Sequence, residues 1–293
     1  MEKARIVENV DDFIELHILN EYSTNTIKQY KYCISVLLNY FEEHDDISKV
    51  DMLAYKKHLE NTYGSSRSIN KHIAVINKYL KWLSKDDKSN LELKDVRCDL
   101  CLKKIKTQLK SSNEDVLSIA DYKRLLRKSK ELGMMQIHMI MKVLAMTGIR
   151  ISELQFFTYE NIQKDKYYIR VFNKGKEREI ILRQDLSREL RKYCRKHKIK
   201  NGYIFKGDVE GQMPDKSTIW RQMKKVAGIA RVNKKKIHAH SFRHLFAQVY
   251  LNEYNGNATE LADILGHSSL ETTREYTRSS SLQKRQRLEK IKY

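Results

Sequence analysis

A mainly helical fold in two domains is what this sequence predicts, and three observations carry the prediction. The 293 residues include one proline and 10 glycines, too few turn formers for a β-sandwich or barrel. Apolar residues recur at three- and four-residue steps over much of the chain, the period of a helix face. A single pair of neighbouring runs, 166–172 and 177–182, reads as β-structure. Apolar residues make up 41% of the chain, enough for a core, which excludes wholesale disorder.

The elements follow in order. Ile27, Tyr30, Ile34, Leu37, Leu38 and Phe41 share one helix face, with Ser23 or Thr24 as its cap. Ile69, Ile73, Ile76, Leu80 and Leu83 repeat the pattern after Ser65, Ser66 and Ser68. Weaker helical segments cover 10–21 and 48–62, so the first domain, 1–104, is a small helical bundle. The stretch 103–115 is polar and aperiodic; within it, 105–115 is assigned as the linker. The second domain, 116–293, opens with a helix near Ile119. Met134–Thr147 is a strongly apolar helix that stops at Gly148, a natural residue for a left-handed helix end. Lys166–Phe172 and Glu177–Leu182 form an antiparallel hairpin through Asn173–Lys176. Helices resume at 186–198, 215–230, 241–254, 258–265 and 269–276, and a short basic tail covers 280–293.

Charge divides along the same line. Lys+Arg number 57 against 37 Asp+Glu, a net of +20. Residues 1–110 hold 19 basic against 17 acidic side chains, a net of +2, so 111–293 carries +18. A basic excess of this size calls for a polyanion, and nucleic acid is the expected partner. The start, MEKARIVENV, is charged and lacks an apolar core, so it is not a signal peptide. No run approaches the roughly 18 apolar residues of a membrane span. A cytoplasmic location with no membrane partner is expected. Four cysteines make no disulfide framework, and Cys98-x-x-Cys101 has no second ligand pair for zinc. Plain reduced thiols are expected there.

The chemistry is narrowed first by what is missing. No G-x-x-x-x-G-K-[ST] loop indicates nucleotide hydrolysis, and no acidic cluster would hold Mg²⁺ for two-metal chemistry. No metal or cofactor is expected. A chain that cuts a nucleic-acid backbone without metal must neutralise the phosphate with Arg, Lys and His converging beside a nucleophile. Four segments offer such groups. Arg150 follows the Gly148 helix end, where a planar guanidinium suits a phosphate, and Glu153 is placed to orient it. Lys174 sits at the hairpin tip. His240, Arg243 and His244, at i, i+3 and i+4, share one helix face. Leu265-Gly266-His267 is followed nine residues after His267 by Tyr276. Each alone has a bland explanation: a surface charge after a helix cap, a solvated turn lysine, a structural ion cluster, a packed tyrosine.

Taken together, the order is more specific. Thr147-Gly148-Ile149-Arg150-Ile151-Ser152-Glu153-Leu154 resembles the T-G-x-R-x-x-E-L box of the tyrosine recombinases, the phage-integrase-like family that includes Xer resolvases. Asn173–Arg178 resembles the family's lysine hairpin. His240-Ser241-Phe242-Arg243-His244 resembles the H-x-L-R-H box, with Phe242 where Leu is usual. Leu265-Gly266-His267 through Tyr276 resembles the L-G-H…Y box. The motifs span about 115–280, and the first domain matches by layout.

This resemblance implies a fold, a reaction and a partner. The fold is an N-terminal core-binding, SAM-like helical domain plus a mostly helical catalytic domain with a small antiparallel sheet. Tyr276 would be the nucleophile, forming a 3′-phosphotyrosyl link to DNA. Arg150 and Arg243 would clamp the phosphate, with His267 hydrogen-bonded to it. His240 would be the general base or hydrogen-bond partner, and Lys174 the proton donor to the leaving oxygen. Glu153 and His244 would support them. The partner implied is a double-stranded DNA recombination site, bound by a homotetramer that exchanges its 280–293 tails, with an accessory protein or partner recombinase as a further expectation. The task would be integration or excision of a mobile element, or Xer-type resolution, with no further arm-binding domain. A type IB topoisomerase shares the chemistry, and a catalytically silent DNA-binding module shares the fold; the short spacings and the complete residue set favour a recombinase.

Overall fold

The computed structural model describes residues 1–85, 87–94, 96–106, 116–173, 176–209, 211–253, 257–266 and 289. The chain forms two compact units, Met1–Lys110 and Ser111–Tyr293. Among the described residues no helix is long and apolar enough to cross a membrane.

The first unit is built of α1 (Lys3–Glu8), α2 (Val10–Leu19), α3 (Thr24–Tyr40), α4 (Lys49–Thr62) and α5 (Ser66–Leu83). Ser23 caps α3, accepting from the Thr26 N–H. Ser48 and Asp51 close a reciprocal capping box on α4. The apolar faces read from the sequence turn inward: Ile34, Leu37, Phe41, Ile73, Ile76 and Leu80 are buried. Aromatic rings fill the space between them, with Phe13 against Tyr79 at 4.9 Å and Trp82 at 5.3 Å. The helix α1 was not anticipated; its six residues bury only Ile6, too little to show a period.

The chain beyond α5 lies on this unit. Asn77 accepts from the Leu102 N–H at 2.8 Å and donates to the Leu102 carbonyl at 2.7 Å. Asn70 holds Ile105 in the same two-way manner, at 2.8 and 2.9 Å. Each side-chain amide acts as a short piece of β-strand edge, satisfying a backbone pair that has no other partner in a sheet. Cys98 and Cys101, both free, lie in this segment.

The second unit is organised around α7 (Met135–Thr147), which buries Ile137, Met139, Ile140, Met141, Val143 and Leu144 and is therefore central. It packs against α6 (Ile119–Glu131), α8 (Gln184–Lys196), α9 (Lys216–Ile229) and α10 (Ala239–Glu253). β1 (Tyr168–Asn173) and β2 (Lys176–Ile181) form the antiparallel pair, with Val171 opposite Arg178. α11 (Ala258–Leu265) packs on α10 and β2. Phe242 is fully buried and meets Tyr122 edge-on, ring centroids 6.4 Å apart. The expected helix 269–276 and the tail 280–293 lie outside the described residues, apart from Glu289.

Candidate active site

Two helix ends create the site. α7 stops at Gly148, whose φ of +64° turns the chain sharply. A side chain there would be strained, and its Cβ would sit 2.5 Å from Phe246. Two residues later Arg150 opens a 3₁₀ turn, Ile151–Phe156. Glu153 reaches back across this turn. Its Oε2 accepts from the Arg150 backbone N–H at 2.7 Å, and its Oε1 from Arg150 Nη1 at 3.3 Å.

The second end is that of α11, capped by Gly266 at φ +64°. A helix C-terminus leaves carbonyls without partners and carries partial negative charge. The Gly266 N–H serves the Ala262 and Asp263 carbonyls. The next three each receive an arginine from a different part of the chain. Arg178 donates to the Ile264 carbonyl at 2.5 Å, Arg243 to Leu265 at 2.7 Å, and Arg150 to Gly266 at 3.3 Å. Arg243 also donates to the Gly148 carbonyl at 2.7 Å, so it bridges the two helix ends.

Three guanidiniums in one place repel unless negative charge offsets them. The α11 terminus supplies part of it, and Glu153 supplies the rest. Burial pushes the Glu153 carboxyl upward, but the Arg150 N–H and the Arg178 guanidinium outweigh it and leave the pKa below its ordinary value. Glu153 is therefore ionised at neutral pH although only 1% of its side chain is exposed. Arg243 is 2% exposed and fixed, whereas 41% of the Arg150 side chain reaches solvent. One arginine forms the floor of the site and the other presents itself at the surface.

α10 adds two imidazoles. His240 is exposed near the helix start, and its ring meets that of His244 at 5.2 Å and 87°. Burial pushes His244 down to about 4, with His240, His238 and Arg243 adding repulsion. His244 is thus a neutral imidazole at physiological pH, a hydrogen-bonding group rather than a charge. A surface-facing and a buried guanidinium on one helix terminus are donors of the kind that suit a tetrahedral oxyanion.

The structure thus brings Arg150, Glu153 and Arg243 into one bonded cluster, with His240 and His244 on the helix that carries Arg243. Lys174, His267 and Tyr276 lie outside the described residues. Arg178 was not singled out from the sequence, although a signal was present. In β2 the exposed residues are Glu177, Glu179 and Ile181, which places Arg178 on the inward face with Ile180. A charge on the apolar face of a strand marks a buried ion pair.

Comparison with known proteins agrees with this geometry. Residues 115–283 match the phage integrase family, and residues 10–87 match the phage integrase N-terminal SAM-like domain. The chain is 27% identical to the tyrosine recombinase XerA of Pyrococcus horikoshii, over 99% of this chain and 96% of that one. It is 25% identical to the tyrosine recombinase XerD of Listeria innocua, over 93% and 94% of the two chains. Among solved structures, a XerA recombinase matches with a TM-score of 0.53 at 25% identity, covering 98% of this chain and all of that one. A lambda integrase dimer bound to a core site shares the fold, with a TM-score of 0.71 at 14% identity over 92% and 76% of the chains. The chain belongs to the phage integrase family and is a site-specific tyrosine recombinase, a DNA strand-transferring enzyme.

Proposed function

We propose that the chain binds a double-stranded recombination site and cuts one strand at a time through Tyr276. The Tyr276 oxygen attacks the phosphorus, the bond to the 5′-oxygen breaks, and a 3′-phosphotyrosyl link remains. A free tyrosine has a pKa near ~10, so the attack needs a base and a polarised phosphate. His240 takes the phenolic proton, and Lys174 gives one to the leaving oxygen. Arg150 and Arg243 clamp the non-bridging oxygens, where negative charge builds at the pentavalent transition state, and His267 donates a further hydrogen bond. The covalent link keeps the phosphodiester energy, so the strand is rejoined to a new 5′-hydroxyl without ATP or a metal.

One observation carries this reading: Arg150 and Arg243 are fixed on adjacent carbonyls of one helix end, preorganised before any substrate arrives. Preorganised donors need no rearrangement as charge develops, which is where electrostatic catalysis gains most. Basic residues in 183–236 supply the wider phosphate surface: 17 Lys+Arg stand against 5 Asp+Glu, with Arg188, Lys192, Arg195, Lys216 and Arg221 exposed. The near-neutral first domain, 1–104, contributes shape and base contacts, and 105–115 links it to the catalytic domain. Strand exchange between two such sites takes a tetramer joined by its 280–293 tails, working in the cytoplasm. It serves mobile-element integration and excision or Xer-type resolution; the near full-length likeness to Xer recombinases supports the two-domain layout they share.

The test is a nicked suicide duplex offered to the wild type and to Tyr276→Phe in EDTA. The wild type should form a covalent protein–DNA band and the variant none. A band of equal intensity from the variant rules out Tyr276 as the nucleophile.

A further inference from the structure

We propose that Arg178 is a positioning residue of the strand-transfer reaction, holding Glu153, and through it Arg150, against the C-terminal end of α11. The inference rests on the reading of Arg150 as a phosphate clamp.

Arg178 has few ways to be incidental. It stands on the inward face of β2 with 10% of its side chain exposed. A guanidinium removed from water is costly unless its charge and its N–H groups are both satisfied. Arg178 meets the charge requirement through Glu153, at 2.6 Å from Nη2 to Oε2. It meets part of the hydrogen-bond requirement through the Ile264 carbonyl on Nη1. The two acceptors belong to different elements, the 3₁₀ turn after Arg150 and the last turn of α11. One planar fork therefore sets the distance between them.

The consequence falls on Arg150. Glu153 Oε2 is shared between Arg178 and the Arg150 backbone N–H, at 2.6 and 2.7 Å. With Arg178 gone, Glu153 becomes a buried carboxylate with one cationic partner instead of two, free to swing toward the Arg150 side chain. Arg150 would then be drawn from its place at the Gly266 carbonyl into a tighter pair with Glu153. The stem of Arg178 also fills the space beside Gly266, where a Cβ would collide with its Cδ. Arg178 itself acts directly on neither phosphate nor nucleophile. It acts by keeping Arg150 extended.

The experiment uses the full chain and the suicide duplex, with three readouts: single-turnover covalent-complex formation, DNA affinity by mobility shift, and thermal melting. Arg178→Met should slow cleavage about 30- to 100-fold while leaving Kd within about threefold, because the surface phosphate contacts are untouched. Arg178→Lys keeps the charge but cannot span both acceptors, and should recover part of the rate. The deciding measurement is a double-mutant cycle with Arg150→Lys, whose residual rate can still be followed. If Arg178 works through Arg150, adding Arg178→Met to Arg150→Lys should slow cleavage by less than threefold more. Losses that multiply in full, or cleavage and affinity falling together with the melting temperature, overturn the inference. Should Arg178→Met fail to fold, Arg178→Lys carries the test alone. It should cleave 5- to 20-fold slower at unchanged Kd, with little further loss in the Arg150→Lys background. A wild-type rate, or a fully multiplying loss, is then the refuting outcome. If Arg150→Lys cleaves like the wild type, the clamp reading itself fails and takes this inference with it. A slow Arg150→Lys with multiplying losses leaves the clamp standing and removes only Arg178.

Discussion

The two units bury polar groups of different kinds. In the first, the buried polar side chains among the described residues are the imidazoles of His17 and His72, both with pKa values lowered first by burial and so neutral. His17 packs against Phe13, Tyr22 and Tyr30 and His72 against Tyr32 and Tyr63, and the amides of Asn70 and Asn77 bind backbone. In the second, the structure buries an ionised Glu153 and the guanidiniums of Arg243 and Arg178 around the end of α11. Apolar packing of equal volume is commonly as stabilising as a buried ion cluster, or more so. A domain that keeps such a cluster beside a neutral-core neighbour is using it for something other than stability. The first unit follows from burial alone; the second has charge held in position at a cost.

The largest expected effect tests that contrast directly. Arg243→Leu keeps apolar volume but strands the Gly148 and Leu265 carbonyls and removes a phosphate donor. Cleavage should fall about 10³-fold or more, as for loss of a preorganised transition-state donor. Stability should also fall, by about 2–4 kcal/mol for the unpaired buried carbonyls. The two tryptophans fall one to each unit, Trp82 in the first and Trp220 in the second, so single-tryptophan backgrounds report each unit's unfolding separately. The Trp82 transition should not move with Arg243→Leu. A stabilised second unit with unchanged cleavage would dissolve the contrast.

A smaller effect lies in the pH response. His244 is held near 4 in the folded chain against an ordinary 6.5, so between those values only the unfolded chain takes up its proton. Stability is therefore intact above about pH 6.5 and lost as pH falls toward 4, by up to about 3 kcal/mol from this residue. His138 and His238, also lowered first by burial, push the same way. In urea titrations at pH 7, 6 and 5, the Trp220 transition of His244→Gln should depend less steeply on pH than that of the wild type, by up to one proton. Parallel slopes would show that His244 is not held neutral.

How far the sequence discloses each unit follows from the same physics. The α3 and α5 faces and the central α7 are legible because burial imposes a helical period on long segments. The clustering of Arg150, Glu153 and Arg243 is legible only as motif order, since their contacts run between residues up to 116 apart. The Arg150 turn takes a 3₁₀ form, which spacing alone does not distinguish from an α-helical start. The Asn70 and Asn77 clamps leave no trace, because an asparagine on a helix face reads as solvated. Arg178 left a trace in the β2 alternation, one that gains meaning only when its two acceptors are seen in place.

The smallest effect concerns a motif that both units share. Ser48–Asp51 opens α4 and Ser118–Asp121 opens α6, each a reciprocal capping box. Cap energetics are local, so Ser48→Ala and Ser118→Ala should each cost about 1 kcal/mol, read from Trp82 and Trp220 respectively. The surroundings differ, however. Asp51 is hydrogen-bonded to Ser48, with His44 adding a weaker attraction, whereas Asp121 also pairs with Arg124 at 2.5 Å and lies 3.9 Å from Lys236. Those cations hold the Asp121 carboxylate in place after its serine is gone, so Ser118→Ala should be the milder of the two by a few tenths of a kcal/mol, and 0.5 M salt should shrink that gap. A larger loss at Ser118 would mean that even the second unit's helix starts depend on its charge network, and the division between an apolar unit and a charged one would run deeper than the active site.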